Sequence, residues 1–194
     1  MAVVLAAGAG RRMGGPKALL RIGGESFLAR TARLLGRPGV ASVVAVVGHE
    51  AARVAAEAAC PAGVSLLENP RHHEGMLSSI LRGLDEAQAR GAHAVLLHPV
   101  DHPLVDPATV DRVVAALEKR AVVAVPSHGS RRGHPGGFAR EAWPALRSAP
   151  VDRGARAVLA DHPEWVVHVP GDPGCVLGIE TPADYERWIA GLSP

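Results

Sequence analysis

Six short aliphatic runs, Ala2–Ala6, Val43–Val47, Val64–Leu67, Ala94–Val100, Val122–Val125 and Val166–Val169, punctuate the chain, and their spacing limits the folds open to it. Stretches rich in alanine, leucine and arginine fill the gaps, with helical spacing over Ser26–Leu35, Glu50–Ala59, Met76–Arg90 and Pro107–Lys119. Near-continuous apolar strands suit burial on both faces, and strands separated by helices pair in parallel because the helix carries the chain back across the sheet. The alternation predicts an α/β fold, a Rossmann-like three-layer arrangement with a mostly parallel central sheet. Ligands should gather at the carboxyl ends of its strands. Pro126–Phe138, PSHGSRRGHPGGF, breaks the rhythm and is expected to form an irregular lobe or hairpin over the sheet.

The segment Val3–Leu20, VVLAAGAGRRMGGPKALL, runs from an apolar strand into a glycine-rich turn. Gly8 and Gly10 allow backbone N–H groups to approach phosphate oxygens, and Arg11, Arg12 and Lys17 supply countercharge. Two common phosphate motifs fail here. A dinucleotide fingerprint would need a third glycine where Met13 stands, and a Walker loop would need a hydroxyl after the lysine, where Lys17 is followed by Ala18. An ordinary strand-to-helix turn would account for the glycines but not for the three cations around them.

Asp101 leaves the apolar run Leu96–Val100 beside Pro103, and a carboxylate there suits Mg²⁺, a hard cation that prefers oxygen ligands. Asp106, before Pro107, better fits the N-cap of the next helix. His98 and His102 flank Asp101, but neighbours on a strand diverge and no metal-ligand pair joins them, so these histidines are read as packing or solvent-facing. The same holds for His72 and His73. His134, in the Gly133–His134–Pro135 turn near two arginines, is either functional or part of the turn. Ser78 and Ser79 fall in the first turn of a predicted helix, where hydroxyls and free N–H groups could meet a base, ribose or phosphate.

A near balance of acids and bases, net +2, without a long basic run points away from nucleic-acid or membrane surfaces. No apolar run reaches membrane-spanning length, and strand-like sequence from Ala2 is expected to leave no room for a signal peptide. Cys60 and Cys175 fit reduced thiols in a cytoplasmic protein better than a disulfide framework, with one bridge left open. At 194 residues and 47% hydrophobic content, residues 1–194 are read as a single domain.

With these residues in view, the chain resembles the molybdenum cofactor nucleotidyltransferase family (MobA-like NTP transferases), most closely its molybdopterin cytidylyltransferase branch. LAAGAGRRMGGPKALL is similar to the signature L-A-A-G-x-x-x-R-M-G-x-x-K-x-L-L, and the likeness continues through Asn69–Gly83, Asp101–Pro103, Gly133–Pro135, Asp152–Arg156 and Ile179–Tyr185. Cytidylyl rather than guanylyl transfer rests on Ala7 and on Pro16–Lys17. The resemblance implies a fold of the nucleotide-diphospho-sugar transferase type. It implies that Ala6, Ala7, Gly8 and Gly10 contact the nucleotide, with Ser78 and Ser79 beside it. Arg12 and Lys17 would hold the triphosphate, and Asp101 would bind Mg²⁺; Arg12, Lys17 and Asp101 are thus the expected catalytic residues. The expected ligands are CTP, or another NTP, and a phosphorylated acceptor, molybdopterin, with a molybdoenzyme as maturation partner. In one motif the chain departs from the family. Where the family carries two aspartates this chain has Gly178 and Glu180, so Glu180 becomes the expected second metal ligand, with Asp172 a weaker alternative. Thr181, Pro182 and Asp184 also read as a helix start. Two alternatives stand beside this reading: transfer to a sugar phosphate or other phosphorylated acceptor, and a nucleotide-binding protein that lost catalysis with the acid at 178.

Overall fold

The computed structural model describes residues 1–189. Its strands are β1 (Ala2–Ala6), β2 (Arg21–Ile22), β3 (Glu25–Ser26), β4 (Val43–Val47), β5 (Ser65–Glu68), β6 (Ala94–Pro99), β7 (Val123–His128), β8 (Arg131–Arg132), β9 (Gly136–Ala139) and β10 (Val166–Pro170). Its α-helices are α1 (Phe27–Leu35), α2 (Ala51–Glu57), α3 (Met76–Ala89), α4 (Pro107–Glu118), α5 (Trp143–Arg147), α6 (Ala155–Asp161) and α7 (Pro182–Trp188). One sheet runs β10-β7-β9-β6-β1-β4-β5, with β8 attached to β7, and β2 and β3 form a separate hairpin. β1 is buried at every residue and pairs in parallel with β4 and β6.

Alternate residues of β1 feed two cores. Ala2, Val4 and Ala6 face one containing Phe27 and Leu28 of α1 and Val110 of α4, while Val3 and Leu5 face another with Leu84 of α3, Trp143 and Val158. The sheet is therefore covered on both faces, the three-layer arrangement expected from its apolar strands. Helix starts follow local chemistry. Ser26 Oγ accepts from the Ala29 amide, Asp106 Oδ1 from Ala108, and Thr181 and Asp184 form a reciprocal capping box with Pro182 next in line. α3 approaches β1 closely because Gly83 has no side chain: a Cβ there would lie 2.7 Å from Val3 Cγ1.

The expectation for Pro126–Phe138 holds for a hairpin, formed by β7 and β8, and needs correction for its place, since the segment does not lie over the sheet. It turns back as β8 and then enters the sheet as β9, antiparallel to both β6 and β7. Gly137 explains why a strand without a strand-like sequence fits there: a Cβ would stand 2.8 Å from Val113 Cγ1 and Leu117 Cδ1 of α4. Cys60 and Cys175 are both free, Cys175 buried. Among the described residues no helix is long and apolar enough to cross a membrane.

Candidate active site

β1 and β6 end side by side, with Leu5 opposite Pro99 and the Val100 amide donating to the Leu5 carbonyl at 3.1 Å. β4 and β5 continue the sheet on one side of β1 and β6 on the other, so the strand order turns between β1 and β6. A crevice opens at such a point. Here it is a cleft of about 280 Å³ whose walls include Gly8, Gly10, Arg12, Lys17, Met76 and Asp101.

The turn after β1 is fixed at Gly10, which sits in the left-handed region at φ 58° and whose carbonyl accepts from the Met13 amide at 2.7 Å. A Cβ at Gly10 would collide with the Gly15 carbonyl. At Gly8, Gly14 and Gly15, by contrast, no atom lies within 4 Å of where a Cβ would be, so bare backbone faces open space. The amides of Ala9, Gly10 and Arg11 have no hydrogen-bond partner among the described residues, and such unpaired amides draw anions. Ala6 and Ala7 lie under this turn, both buried, and the Ala7 carbonyl accepts from the His49 amide at 3.1 Å.

Arg12, Lys17 and Asp101 line the cleft, and Glu180 stands beside it on Arg12. Lys17 Nζ donates to Asp101 Oδ2 at 2.7 Å, and Arg12 Nη2 lies 2.8 Å from Glu180 Oε2. The inner pair is 15% and 23% exposed at its side chains, the outer pair 65% and 52%. Glu180 is brought in by the backbone, since the Ile179 amide donates to the Asp101 carbonyl at 2.8 Å. The donor set, two carboxylates, has the hard oxygen chemistry of a Mg²⁺ or Mn²⁺ ligand, and the Lys17 ammonium already stands against Asp101 as a cation would. Among the described residues no three His, Cys, Asp or Glu side chains converge on a single metal position. A cation held here would need further oxygens from phosphate or water. Asp172 is otherwise engaged, its two oxygens accepting from Thr109 Oγ1 and the Gly174 amide, both at 2.7 Å.

Behind Asp101 the histidines cluster. His98 is fully buried with Nε2 3.0 Å from the His102 carbonyl, and the His102 and His134 rings lie 4.6 Å apart. Burial pushes all three below the ordinary imidazole value, with mutual repulsion adding at His98 and His134; His134 falls to about 3. Gly178 belongs to the same corner, for a Cβ there would stand 3.3 Å from His102 Nε2. His102 thus closes one side of the space beside residue 178.

Ser78 and Ser79 are buried at the start of α3. Asn69 Nδ2 donates to both hydroxyls, at 2.9 and 3.0 Å, and Asn69 Oδ1 accepts from the Arg71 amide. This network anchors the loop that carries Met76 to the cleft. Sequence reasoning placed Asn69 in a motif without giving it a role; the available signal was the Asn69–Pro70 pair shortly after an apolar run. The pairing of Lys17 with Asp101 was also missed, because the partners are 84 residues apart.

A family model described as the MobA-like NTP transferase domain matches residues 2–166. The chain belongs to this family. This MobA-like chain is similar to the molybdenum cofactor guanylyltransferase of Cereibacter sphaeroides, 37% identical over 123 residues. That stretch is 63% of this chain and only 60% of the relative's length. The chain is also 35% identical to the nicotine blue oxidoreductase of Paenarthrobacter nicotinovorans over 173 residues, 85% of this chain and 83% of that one. Among solved structures it resembles Rv0371c of Mycobacterium tuberculosis H37Rv, with a TM-score of 0.81 and 27% identity over 97% of each chain. A manganese complex of Rv0371c matches with a TM-score of 0.70 and 26% identity, again over 97% of each chain.

Proposed function

We propose that this single-domain, cytoplasmic MobA-like protein is a Mg²⁺-dependent cytidylyltransferase that joins CMP from CTP to the terminal phosphate of molybdopterin or its molybdenum-loaded form. The observation that carries the reading is the cleft itself, where unpaired loop amides, Arg12 and Lys17 stand with Asp101, and Glu180 reaches Arg12 from beside it. An acceptor phosphate oxygen attacks the α-phosphorus of CTP, the bond to the bridging oxygen of the β-phosphate breaks, and pyrophosphate leaves. The acceptor is already an anion at neutral pH, so alignment and charge neutralisation matter more than a strong base. Arg12 and Lys17 hold the charge that grows on the leaving pyrophosphate, and Gly8, Gly10 and their neighbours Ala6 and Ala7 seat the nucleotide. Asp101 and Glu180 would hold the metal, which when bound would neutralise phosphate charge and favour departure of the leaving group. Ser78 and Ser79 act beside the nucleotide through the loop they anchor. The segment around Arg131, Arg132 and His134 faces the acceptor, and the product passes to a molybdoenzyme.

Pyrophosphate release from CTP, GTP, ATP and UTP, each with and without molybdopterin and Mg²⁺, tests this. Release from CTP only with both partners is expected, and Lys17→Ala should lower turnover by on the order of 10²–10³. Preference for GTP would move the chain to the guanylyl branch, and release only with sugar phosphates would change the acceptor. A second reading is favoured by the oxidoreductase relative, which matches over most of both chains: the same cradle would hold a nucleotide cofactor for a redox reaction. No pyrophosphate release from any triphosphate, together with substrate-dependent oxidation of a reduced nicotinamide nucleotide, would support it.

A further inference from the structure

Two of the groups that would take the triphosphate, Lys17 and Arg12, are already bound to the two that would take the metal. Lys17 lies 2.7 Å from Asp101 and Arg12 2.8 Å from Glu180, so both carboxylates and both cations are neutralised before any ligand arrives. A free divalent cation approaching Asp101 must displace an ammonium that is only 15% exposed and would then lose its hydrogen-bonded counter-ion, keeping only the longer-range attraction of Asp184. A metal-free triphosphate that draws Lys17 away would leave Asp101 bare beside a polyanion. The metal–triphosphate complex avoids both costs. Phosphate oxygens take Lys17 and Arg12 while the cation takes Asp101 and Glu180, so every charge changes partner and none is stranded. Nor does the protein alone offer a complete cage, since among the described residues no three ligating side chains converge.

We propose that Lys17–Asp101 and Arg12–Glu180 are counter-ion locks that make cation and triphosphate bind as one unit, each partner being weakly held without the other. The proposal rests on the nucleotide-binding reading of the cleft, and the coupling should be at least about tenfold. Lys17 thereby acquires a second role, since in the free protein it keeps Asp101 closed to cations.

The test uses direct binding rather than turnover. Mn²⁺ binding to the purified full chain is followed by electron paramagnetic resonance, and CTP binding by calorimetry, in EDTA and in saturating Mn²⁺. Wild type should bind CTP at least about tenfold more tightly with Mn²⁺ than in EDTA. The decisive results are gains. Lys17→Met, which keeps the chain length and removes the charge, should bind Mn²⁺ alone several-fold more tightly than wild type. Asp101→Asn, which frees Lys17, should bind CTP in EDTA several-fold more tightly. Arg12→Gln, at the more exposed pair, should move Mn²⁺ binding in the same direction by less, and serves if Lys17→Met fails to fold by circular dichroism. Unchanged or weaker Mn²⁺ binding in the lysine and arginine variants would overturn the locks, as would equal CTP affinity in wild type with and without Mn²⁺. If CTP and GTP fail to bind under every condition, the nucleotide reading itself falls; if they bind without the gains, only the locks fall.

Discussion

Alanine at Gly8 and alanine at Gly10 are two residues apart and should fail in opposite ways. At Gly10 the backbone stands at φ 58° and ψ 34°, and an added Cβ would run into the Gly15 carbonyl. A left-handed conformation costs a residue with a Cβ about 1–2 kcal/mol. No rotamer relieves a contact between Cβ and backbone, so the Gly15 amide's 3.4 Å bond to the Gly10 carbonyl must also open. Together these give about 2–3 kcal/mol, which in a domain of this size lowers Tm by roughly 4–12 °C. At Gly8 φ is not positive and nothing lies within 4 Å of the Cβ position, so stability should change by no more than about 0.5 kcal/mol. The new methyl would instead stand in the cleft, keeping a phosphate from the loop amides. Loss of one hydrogen bond to a charged group, about 1.5–3 kcal/mol, weakens nucleotide binding by roughly 10–150-fold. Thermal unfolding and calorimetric titration with CTP and Mg²⁺ on both variants make the comparison. Equal Tm losses, or a Gly8→Ala protein that binds CTP as wild type does, would refute the claim that Gly8 leaves room for ligand while Gly10 serves the turn.

Gly83→Ala should destabilise by about 1–3 kcal/mol without touching the cleft, because its Cβ would meet Val3, which is fully buried and β-branched; urea unfolding measures this, and an unchanged midpoint would mean that α3 can lift from β1 freely. Stability should also fall in mild acid. His98, His102 and His134 resist protonation in the folded state but take a proton near 6.5 once unfolded, so their contribution is complete above pH 6.5 and is lost as pH drops toward their lowered values. His98 and His134, the two most strongly lowered, give a slope approaching about 2.7 kcal/mol per pH unit, and His102, where Asp101 opposes the shift, adds less. Urea unfolding between pH 7 and 5 should show it, and His134→Gln should make the slope clearly shallower, since it removes one group and the repulsion it exerts on His98; a flat profile would place these imidazoles in water.

Local chemistry made much of this protein legible in its sequence. β1 could be read because five consecutive buried residues need an apolar run, and the starts of α4 and α7 because Asp106–Pro107 and Thr181–Asp184 carry their own caps. The glycine turn was legible as a turn since backbone conformation at Gly10 depends on neighbours no further away than Gly15. What depends on distant partners was not. β9 carries no strand signal, for Gly136 and Gly137 have low strand propensity, and it fits between β6 and β7 because residue 137, which faces α4, has no side chain. The imidazole cluster and the two ion pairs were equally hidden. Arg12, Lys17, Asp101 and Glu180 each announced a charge, but which charge neutralises which is decided only when the ends of β1 and β6 meet and the Asp101 carbonyl draws in residue 179. Caps and turns are written in near neighbours, whereas charge interactions weaken with distance and are screened beyond about 10 Å in salt, so which charges pair follows the distances that folding sets.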